Sequence, residues 1–161
     1  MTQLLKESLA LVSQPENLDK SVDEVFSTML GVHCESGEYP IGHEPELVTA
    51  VVGFGGAMSG ACVLRMGQTI AIRMASKMTG MNIAELDDTV TDAAGEICNM
   101  LAGTWKGHVP EVSVGCMLSV PTVVTGRDYQ IHVQKPEFRI GRAYHFEGHL
   151  FEVMIVCDGV Q

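Results

Sequence analysis

Hydrophobic residues recur at helical spacing in several segments of the chain. The pattern predicts a short amphipathic helix near the N-terminus, within a helical extension over residues 1–18. Longer helices are predicted over residues 19–30, 68–78 and 89 to about 106. Gly31 directly follows the first of these long helices and Thr79-Gly80 closes the second, and glycine commonly follows the last helical residue.

Other segments are rich in residues that favour strands and are separated by turn residues. They predict strands over 46–53, 60–66, 111–120 and 122–133, and a hairpin over 138–157 that turns at Glu147-Gly148. Residues 33–46 are polar and rich in Gly and Pro, so a loop or an irregular sheet edge is expected there. Helices that alternate with hairpin-forming strands favour an α/β (α+β) fold, with a largely antiparallel β-sheet covered by long helices.

Composition adds the expectation of one domain over residues 1–161. The chain is 46% hydrophobic, which suits a compact core, and no linker or internal repeat divides it. No apolar run approaches the roughly 20 residues of a membrane span. The net charge is −10, which disfavours both a nucleic acid and an anionic membrane surface as partners. Five scattered cysteines favour a reducing cytoplasm over a disulfide framework, and most are expected in the core.

Two motifs suggest a ligand site, but a structural explanation suits both of them better. "GFGGAMSG", residues 53–60, resembles a phosphate-binding glycine loop, yet a strand follows it where a helix is needed, so we predict a hairpin turn. His145 and His149 bracket Glu147, but zinc needs three or four ligands and no further ones are identifiable. We therefore predict surface histidines and no metal site. No serine, cysteine or threonine can be matched to a base and an orienting acid.

The helix predicted from residue 89 carries two stripes. At about 100° per residue, one stripe is apolar and the other lies roughly opposite. The apolar stripe consists of Val90, Ala94, Ile97 and Leu101. The second stripe, called the polar stripe below, consists of Asp92, Glu96, Asn99 and Gly103.

The polar stripe has two interpretations. It is either an ordinary solvated helix face or a surface that another molecule approaches. Glu96 and Asn99 are one turn apart, so their side chains project together. Gly95 and Gly103 lie on or beside this stripe, and each costs about 1 kcal/mol relative to alanine within a helix. Missing side chains there would let another surface approach closely, which favours the second interpretation.

The spacing Asp92-x3-Glu96-x2-Asn99, with Pro121 after 21 intervening residues, resembles the signature of the CheC/CheX/FliY family of chemotaxis phosphatases. "GEICNMLAG" is similar to the active helix of that family, and "VFSTMLG", "GFGGAMSGACVLRM" and "ASKMTGM" resemble its other elements in the same order. The resemblance extends from about Ser21 to the C-terminus. One departure is "GTWK" at residues 103–106, where the family often has Gly-Asn.

The resemblance also indicates a branch of the family. CheC-like members carry two active helices, whereas the first long helix here has Ser21, Val25 and Thr28 at the motif positions and therefore lacks Glu and Asn. A single active helix is typical of CheX-like proteins. That branch implies a homodimer with two sites per assembly.

The resemblance implies a phosphatase acting on the aspartyl phosphate of a CheY-like response regulator, in chemotaxis or related two-component signalling. Asn99 would orient the attacking water, and Glu96 would pair with a lysine of the regulator. Gly95 and Gly103 would contact the partner, and Asp92 would contact either the partner or the helix N-terminus. Mg²⁺ is expected in the regulator, with no cofactor in this chain. Two alternatives are a non-catalytic adaptor that docks the regulator through the same helix face, and a purely structural or oligomerisation domain.

Overall fold

A computed structural model describes residues 3–37 and 44–160. Seven strands form one sheet in the order β1-β6-β7-β3-β2-β4, and β5 pairs with a second stretch of β2. Every recorded pairing is antiparallel, which confirms the predicted sheet. The strands are β1 Ser36–Gly37, β2 Glu46–Gly56, β3 Met58–Gly67, β4 Cys116–Leu118, β5 Thr122–Arg127, β6 Phe138–Phe146 and β7 His149–Val160.

The helices confirm the α/β class. They are α1 Gln3–Val12, α2 Pro15–Leu30, α3 Gln68–Thr79, α4 Asp88–Gly107 and α5 Pro110–Ser113. Helix α2 starts four residues earlier than the apolar pattern predicted, because Pro15 occupies the first helical turn, where its missing N–H costs nothing. Gly31 and Gly80 end α2 and α3 in left-handed conformations, as predicted.

Helices α2, α3 and α4 pack on one face of the sheet. Val48, Ala50 and Val52 alternate along β2 toward these helices and belong to one buried core that extends from Val12 to Cys157. All five cysteines are buried and unpaired, as expected for small core residues. Within residues 3–37 and 44–160, no helix is long and apolar enough to cross a membrane.

Residues 129–133 pack against the opposite face of the sheet. The predicted strand over 122–133 is correct only to Arg127, because Asp128 takes a left-handed φ of 51° that ends the ladder. The following segment then crosses the sheet. Its Tyr129 hydroxyl lies 2.5 Å from the Thr49 hydroxyl, and its Ile131 and Val133 pack on a small cluster formed by Val63, Met154 and Val156.

The predicted strand over 111–120 is also largely wrong. Pro110 starts the short helix α5, since proline is favoured at the first helical position. A turn with Gly115 at φ 81° follows, and only residues 116–118 pair with β2. The regular ladder is interrupted over residues 119–121, which include Pro121, a residue that cannot donate a ladder hydrogen bond, and it resumes at Thr122 in β5.

Both predicted hairpins are confirmed. The glycine-rich segment at residues 53–60 forms the turn between β2 and β3, with Gly56 at φ 84°. Residues 138–157 form β6 and most of β7 around Glu147-Gly148, both in left-handed conformations. Part of the predicted loop over 33–46 is the edge strand β1, and residues 38–43 lie outside the described residues.

Candidate functional site

Helix α4 is fixed to the rest of the molecule at its start and along its buried face. The Asp87 side chain accepts a hydrogen bond from the Val90 amide at 3.1 Å and caps the helix. The Cys98 thiol lies 3.5 Å from the carbonyl oxygens of Ala50 and Cys62, so the centre of the helix contacts β2 and β3. The four residues of the predicted apolar stripe are all buried, as periodicity indicated: Val90, Ala94, Ile97 and Leu101.

The polar stripe lies on the solvent side of α4. Asp92, Glu96 and Gly103 are exposed and Asn99 is half-buried. Among the described residues, no hydrogen bond or ion pair occupies the side chains of Asp92, Glu96 or Asn99. An anchored helix therefore presents two carboxylates and one carboxamide whose hydrogen-bonding groups are free for another molecule.

The structure corrects the interpretation of Gly95. This residue is buried, and a Cβ built on it would lie 3.2 Å from Cβ of Pro121 and 3.5 Å from Cγ2 of Val123. The space left by its missing side chain is thus filled by the chain itself and is not open to a partner. Periodicity placed Gly95 beside the polar stripe, but it gave no information on the segment that packs there.

Gly103 has a different environment. It is exposed, and a Cβ there would meet only Cδ1 of Leu118, at 3.9 Å, which is ordinary van der Waals contact. The surface beside Gly103 is open, so its predicted role in partner contact stays a prediction.

Residues 118–121 run along one side of the polar stripe, since Leu118 lies beside Gly103 and Pro121 beside Gly95. Ser119 ties this segment to the sheet. Its hydroxyl accepts a hydrogen bond from the Gly53 amide at 2.8 Å, and its own amide donates to the Gly53 carbonyl at 2.9 Å. Sequence reasoning missed Ser119, because one serine between two strands carries no distinguishing signal.

The chemistry available at the polar stripe is hydrogen bonding and charge pairing. The thiol nearest to Asn99 in sequence is Cys98, which is fully buried. Its contact with Cys62, together with burial, raises the pKa of the Cys62 thiol well above the ordinary value. The Cys62 sulfur is therefore not a nucleophile at neutral pH. The stripe is suited to hold a partner and to orient a small molecule such as water.

The second candidate cluster does not converge. Glu147 Oε2 accepts a hydrogen bond from Arg73 Nε at 2.5 Å, so its carboxylate is paired with α3. His145 pairs with Leu150 and His149 with Phe146, which puts the two exposed histidines on opposite faces of the hairpin. Across the part of the chain that the structure describes, no three His, Cys, Asp or Glu side chains are grouped to hold a metal.

Solved structures of several chemotaxis proteins have a similar fold. A CheX from Desulfovibrio desulfuricans matches with a TM-score of 0.74 and 24% identity, covering 89% of this chain and 97% of that one. A complex of CheX with CheY, BeF3 and Mg²⁺ from Borrelia burgdorferi matches with a TM-score of 0.74 and 20% identity over 89% of this chain and 97% of that one. Thermotoga maritima FliY has a TM-score of 0.67 and 18% identity, covering 98% of this chain and 91% of that one.

Sequence comparison identifies the family within this class. The family described as chemotaxis phosphatase CheX matches residues 48–141, a range that includes the whole polar stripe and Pro121. A protein of Thermotoga maritima described as CheY-P phosphatase CheX is 30% identical over 115 residues, which cover 69% of this chain and 74% of that protein. The chain belongs to the CheX family of chemotaxis phosphatases, which confirms the resemblance found in its sequence.

Proposed function

We propose that this chain hydrolyses the aspartyl phosphate of a CheY-type response regulator. The observation that carries the proposal is the pair Glu96 and Asn99, one turn apart on the solvent side of an anchored helix and unpaired within the described residues. The Thermotoga maritima relative is described as a CheY-P phosphatase, and the Borrelia burgdorferi structure is a CheX–CheY complex. Both support a receiver domain as the substrate.

Asn99 orients the attacking water. An acyl phosphate already has a good leaving group, so hydrolysis needs chiefly a water held in line with the bond that breaks. A carboxamide has an acceptor oxygen and a donor nitrogen, and it binds water without changing its own charge. The half-buried position of Asn99 restricts its side chain, whereas a fully exposed amide would lose more conformational freedom on docking.

Glu96 holds the receiver in register. Its carboxylate is exposed and unpaired within the described residues, so it can accept hydrogen bonds from a lysine of the receiver's phosphorylation site. Asp92 and Gly103 extend the same contact surface by one turn on either side. A salt bridge of this kind contributes to orientation and association rate as well as to affinity.

The metal of the reaction belongs to the receiver. Mg²⁺ bound there neutralises charge on the phosphoryl group, and this chain supplies the water-positioning and docking side chains. This division fits the exposed polar stripe, whose two carboxylates are not grouped with a third ligand among the residues that the structure describes.

The test is to replace Asn99 by alanine. Receivers encoded in the source genome are phosphorylated with phosphoramidate and Mg²⁺, and phosphate release is followed with and without the protein. We expect stimulated hydrolysis to fall roughly 100-fold, while affinity for a BeF3⁻-treated receiver stays close to that of the unaltered protein. Asn82→Ala, at an exposed amide in the connection between α3 and α4, is the matched control and should leave hydrolysis unchanged.

The same experiment separates hydrolysis from docking alone. If the protein binds a phosphorylated receiver but does not raise its rate of dephosphorylation above the spontaneous rate, it acts as an adaptor. Stimulated hydrolysis that survives Asn99→Ala unchanged rejects the assigned mechanism. Absence of binding to every phosphorylated receiver supports a purely structural domain.

We infer a homodimer that uses the sheet edge formed by β4 and β5. Four large hydrophobic side chains are exposed in this short stretch of chain, and the edge has unpaired backbone groups. Light scattering of Met117→Glu against the unaltered protein tests this, and an unchanged mass would reject this edge. The exposed side chains are Val114, Met117, Val120 and Val124.

We assign the reaction to the cytoplasm, because the unpaired cysteines of this chain would stay reduced there.

A further inference from the structure

Gly95 and Pro121 form a contact directly beside the proposed catalytic turn. A Cβ on Gly95 would lie 3.2 Å from Cβ of Pro121, which is closer than most side chains pack, and 3.7 Å from its Cγ, which is ordinary van der Waals contact. Gly95 is buried under Pro121, and Pro121 itself is exposed. Glu96 follows Gly95 directly, and Asn99 lies one turn further along the same helix. The position of this turn therefore depends on how closely α4 approaches Pro121.

Pro121 is held on both sides by hydrogen bonds to β2. Two residues before it, Ser119 exchanges two hydrogen bonds with Gly53 through its hydroxyl and its amide, at 2.8 and 2.9 Å. The Ser119 hydroxyl also donates to the Val120 carbonyl at 3.0 Å. Immediately after it, Thr122 pairs with Val51 at the start of β5. The proline ring adds its own fixed φ, so this segment has little freedom to move away from α4.

The buried side of α4 is fixed at the same level. Cys98, one turn after Gly95, contacts the carbonyl oxygen of Ala50 on β2 and that of Cys62 on β3, both at 3.5 Å. Both Cys98 and Pro121 thus relate the helix to β2, from different directions. Together they define the position of the turn that carries Asn99.

We propose that Pro121 is a positioning residue that packs against Gly95 and fixes the position of Asn99 relative to the sheet. This inference rests on the proposed function and adds to it a long-range contact that controls the geometry of water placement. A Cβ at residue 95 would require this turn or Pro121 to shift by a few tenths of an ångström.

The test begins with Gly95→Ala. Alanine favours a helix more than glycine does, so the helix should be retained and circular dichroism and Trp105 fluorescence should match those of the unaltered protein. We expect the rate of hydrolysis at saturating phosphorylated receiver to fall roughly 10-fold, since small displacements of positioned groups slow such reactions steeply. Affinity for the BeF3⁻-treated receiver should change less than twofold, on the order expected for a buried residue that touches no partner.

Gly107→Ala is the matched control. Gly107 ends the same helix, and a Cβ there would meet nothing within 4 Å. This substitution should leave both the rate and the affinity unchanged.

Second-site variants identify the contact itself. Pro121→Gly removes the Cβ that lies closest to residue 95, and Pro121→Ala retains it. In the Gly95→Ala protein, Pro121→Gly should therefore restore most of the lost rate, and Pro121→Ala should not. Such non-additivity is the signature of two residues in direct contact.

Three outcomes overturn the proposal. They are a Gly95→Ala protein that hydrolyses at the unaltered rate, equal rescue by the two Pro121 variants, and a loss of receiver affinity that matches the loss of rate. Failure of the proposed function looks different, because the unaltered protein would then stimulate no receiver or Asn99→Ala would remain active. The two failures are therefore distinguishable in one set of assays.

Discussion

The centroid of the Trp105 ring lies 5.4 Å from the centroid of the Phe54 ring, and the planes of the two rings are inclined by 48°. Trp105 is on the last turns of α4 and Phe54 is near the end of β2, so this pair joins the helix that carries the polar stripe to the strand that lies between β3 and the β4–β5 edge of the sheet. Because Trp105 is fully buried and is the single tryptophan of the chain, its fluorescence reports on this junction.

We expect Phe54→Ala to lower the free energy of unfolding by about 3–5 kcal/mol, because it removes a buried ring and leaves a cavity against Trp105. Urea denaturation followed by Trp105 fluorescence measures the loss. Met81→Ala is the control, since Met81 is 58% exposed and should change stability by less than about 0.5 kcal/mol. Equal losses in the two variants would contradict this account of the core.

Glu96→Gln should weaken binding to a BeF3⁻-treated receiver and reduce the dependence of binding on salt. The substitution keeps the length of the side chain but removes the charge that pairs with the receiver's lysine. We expect an affinity loss of roughly 5- to 10-fold at low ionic strength, which shrinks at about 0.5 M salt because ions screen exposed pairs. Isothermal titration at both salt concentrations measures it. Glu85→Gln, at an exposed acid before α4, should show neither effect.

The Asp19 carboxylate should make the free energy of unfolding depend on pH in the acidic range. Its carboxylate accepts hydrogen bonds from Arg142 Nε and Nη2, at 3.1 and 2.7 Å, and from the Tyr144 hydroxyl at 2.7 Å. Burial acts to raise the pKa of Asp19, but these hydrogen bonds and the charge of Arg142 outweigh it, and the pKa is lowered. The folded state therefore favours the ionised form of Asp19. The stabilisation that the ionised carboxylate provides is complete above the ordinary aspartate pKa of about 4.

We expect Asp19→Asn to cost roughly 1–3 kcal/mol at neutral pH. The difference from the unaltered protein should shrink as the pH falls from about 4 through the lowered pKa, because protonation then removes the same charge. Urea unfolding at a series of pH values measures both effects. A difference that stays constant down to strongly acidic pH would contradict the assignment.

Gly56→Ala and Gly55→Ala should differ in their effects although the two glycines are neighbours. Gly56 has φ 84°, and a Cβ there would collide with the carbonyl oxygen of Gly115, whereas a Cβ on Gly55 would meet nothing within 4 Å. We expect Gly56→Ala to destabilise the β2–β3 turn by more than about 1 kcal/mol and Gly55→Ala to be close to neutral. Thermal unfolding distinguishes them, and similar midpoints would show that the turn tolerates a side chain.

Features with local causes were predictable from the sequence. The hairpin around Glu147-Gly148 follows from turn residues between two apolar stretches, and the polar stripe follows from helical periodicity alone. The prediction that Glu96 and Asn99 project from the same side of the helix needed only their separation by three residues. These inferences required no knowledge of what the rest of the chain does.

Features with distant causes were not predictable. The apolar residues of 128–133 match a strand pattern, yet they pack across the sheet because Asp128 turns the chain and Tyr129 bonds to Thr49. Gly95 lay beside the polar stripe on a helical projection, but only the fold brings Pro121 onto it. Periodicity shows which side a residue is on and contains no information about contacts made by segments far away in the chain.

The burial of every cysteine has a practical consequence for measuring the encounter with a receiver. None of the five thiols is more than 7% exposed, so a maleimide dye has no accessible native target while the protein stays folded. A new cysteine at exposed Asp88, in the first turn of α4, would therefore carry a fluorophore at one defined point. Energy transfer from that dye to a labelled receiver would then report each docking event in real time without removing any native cysteine.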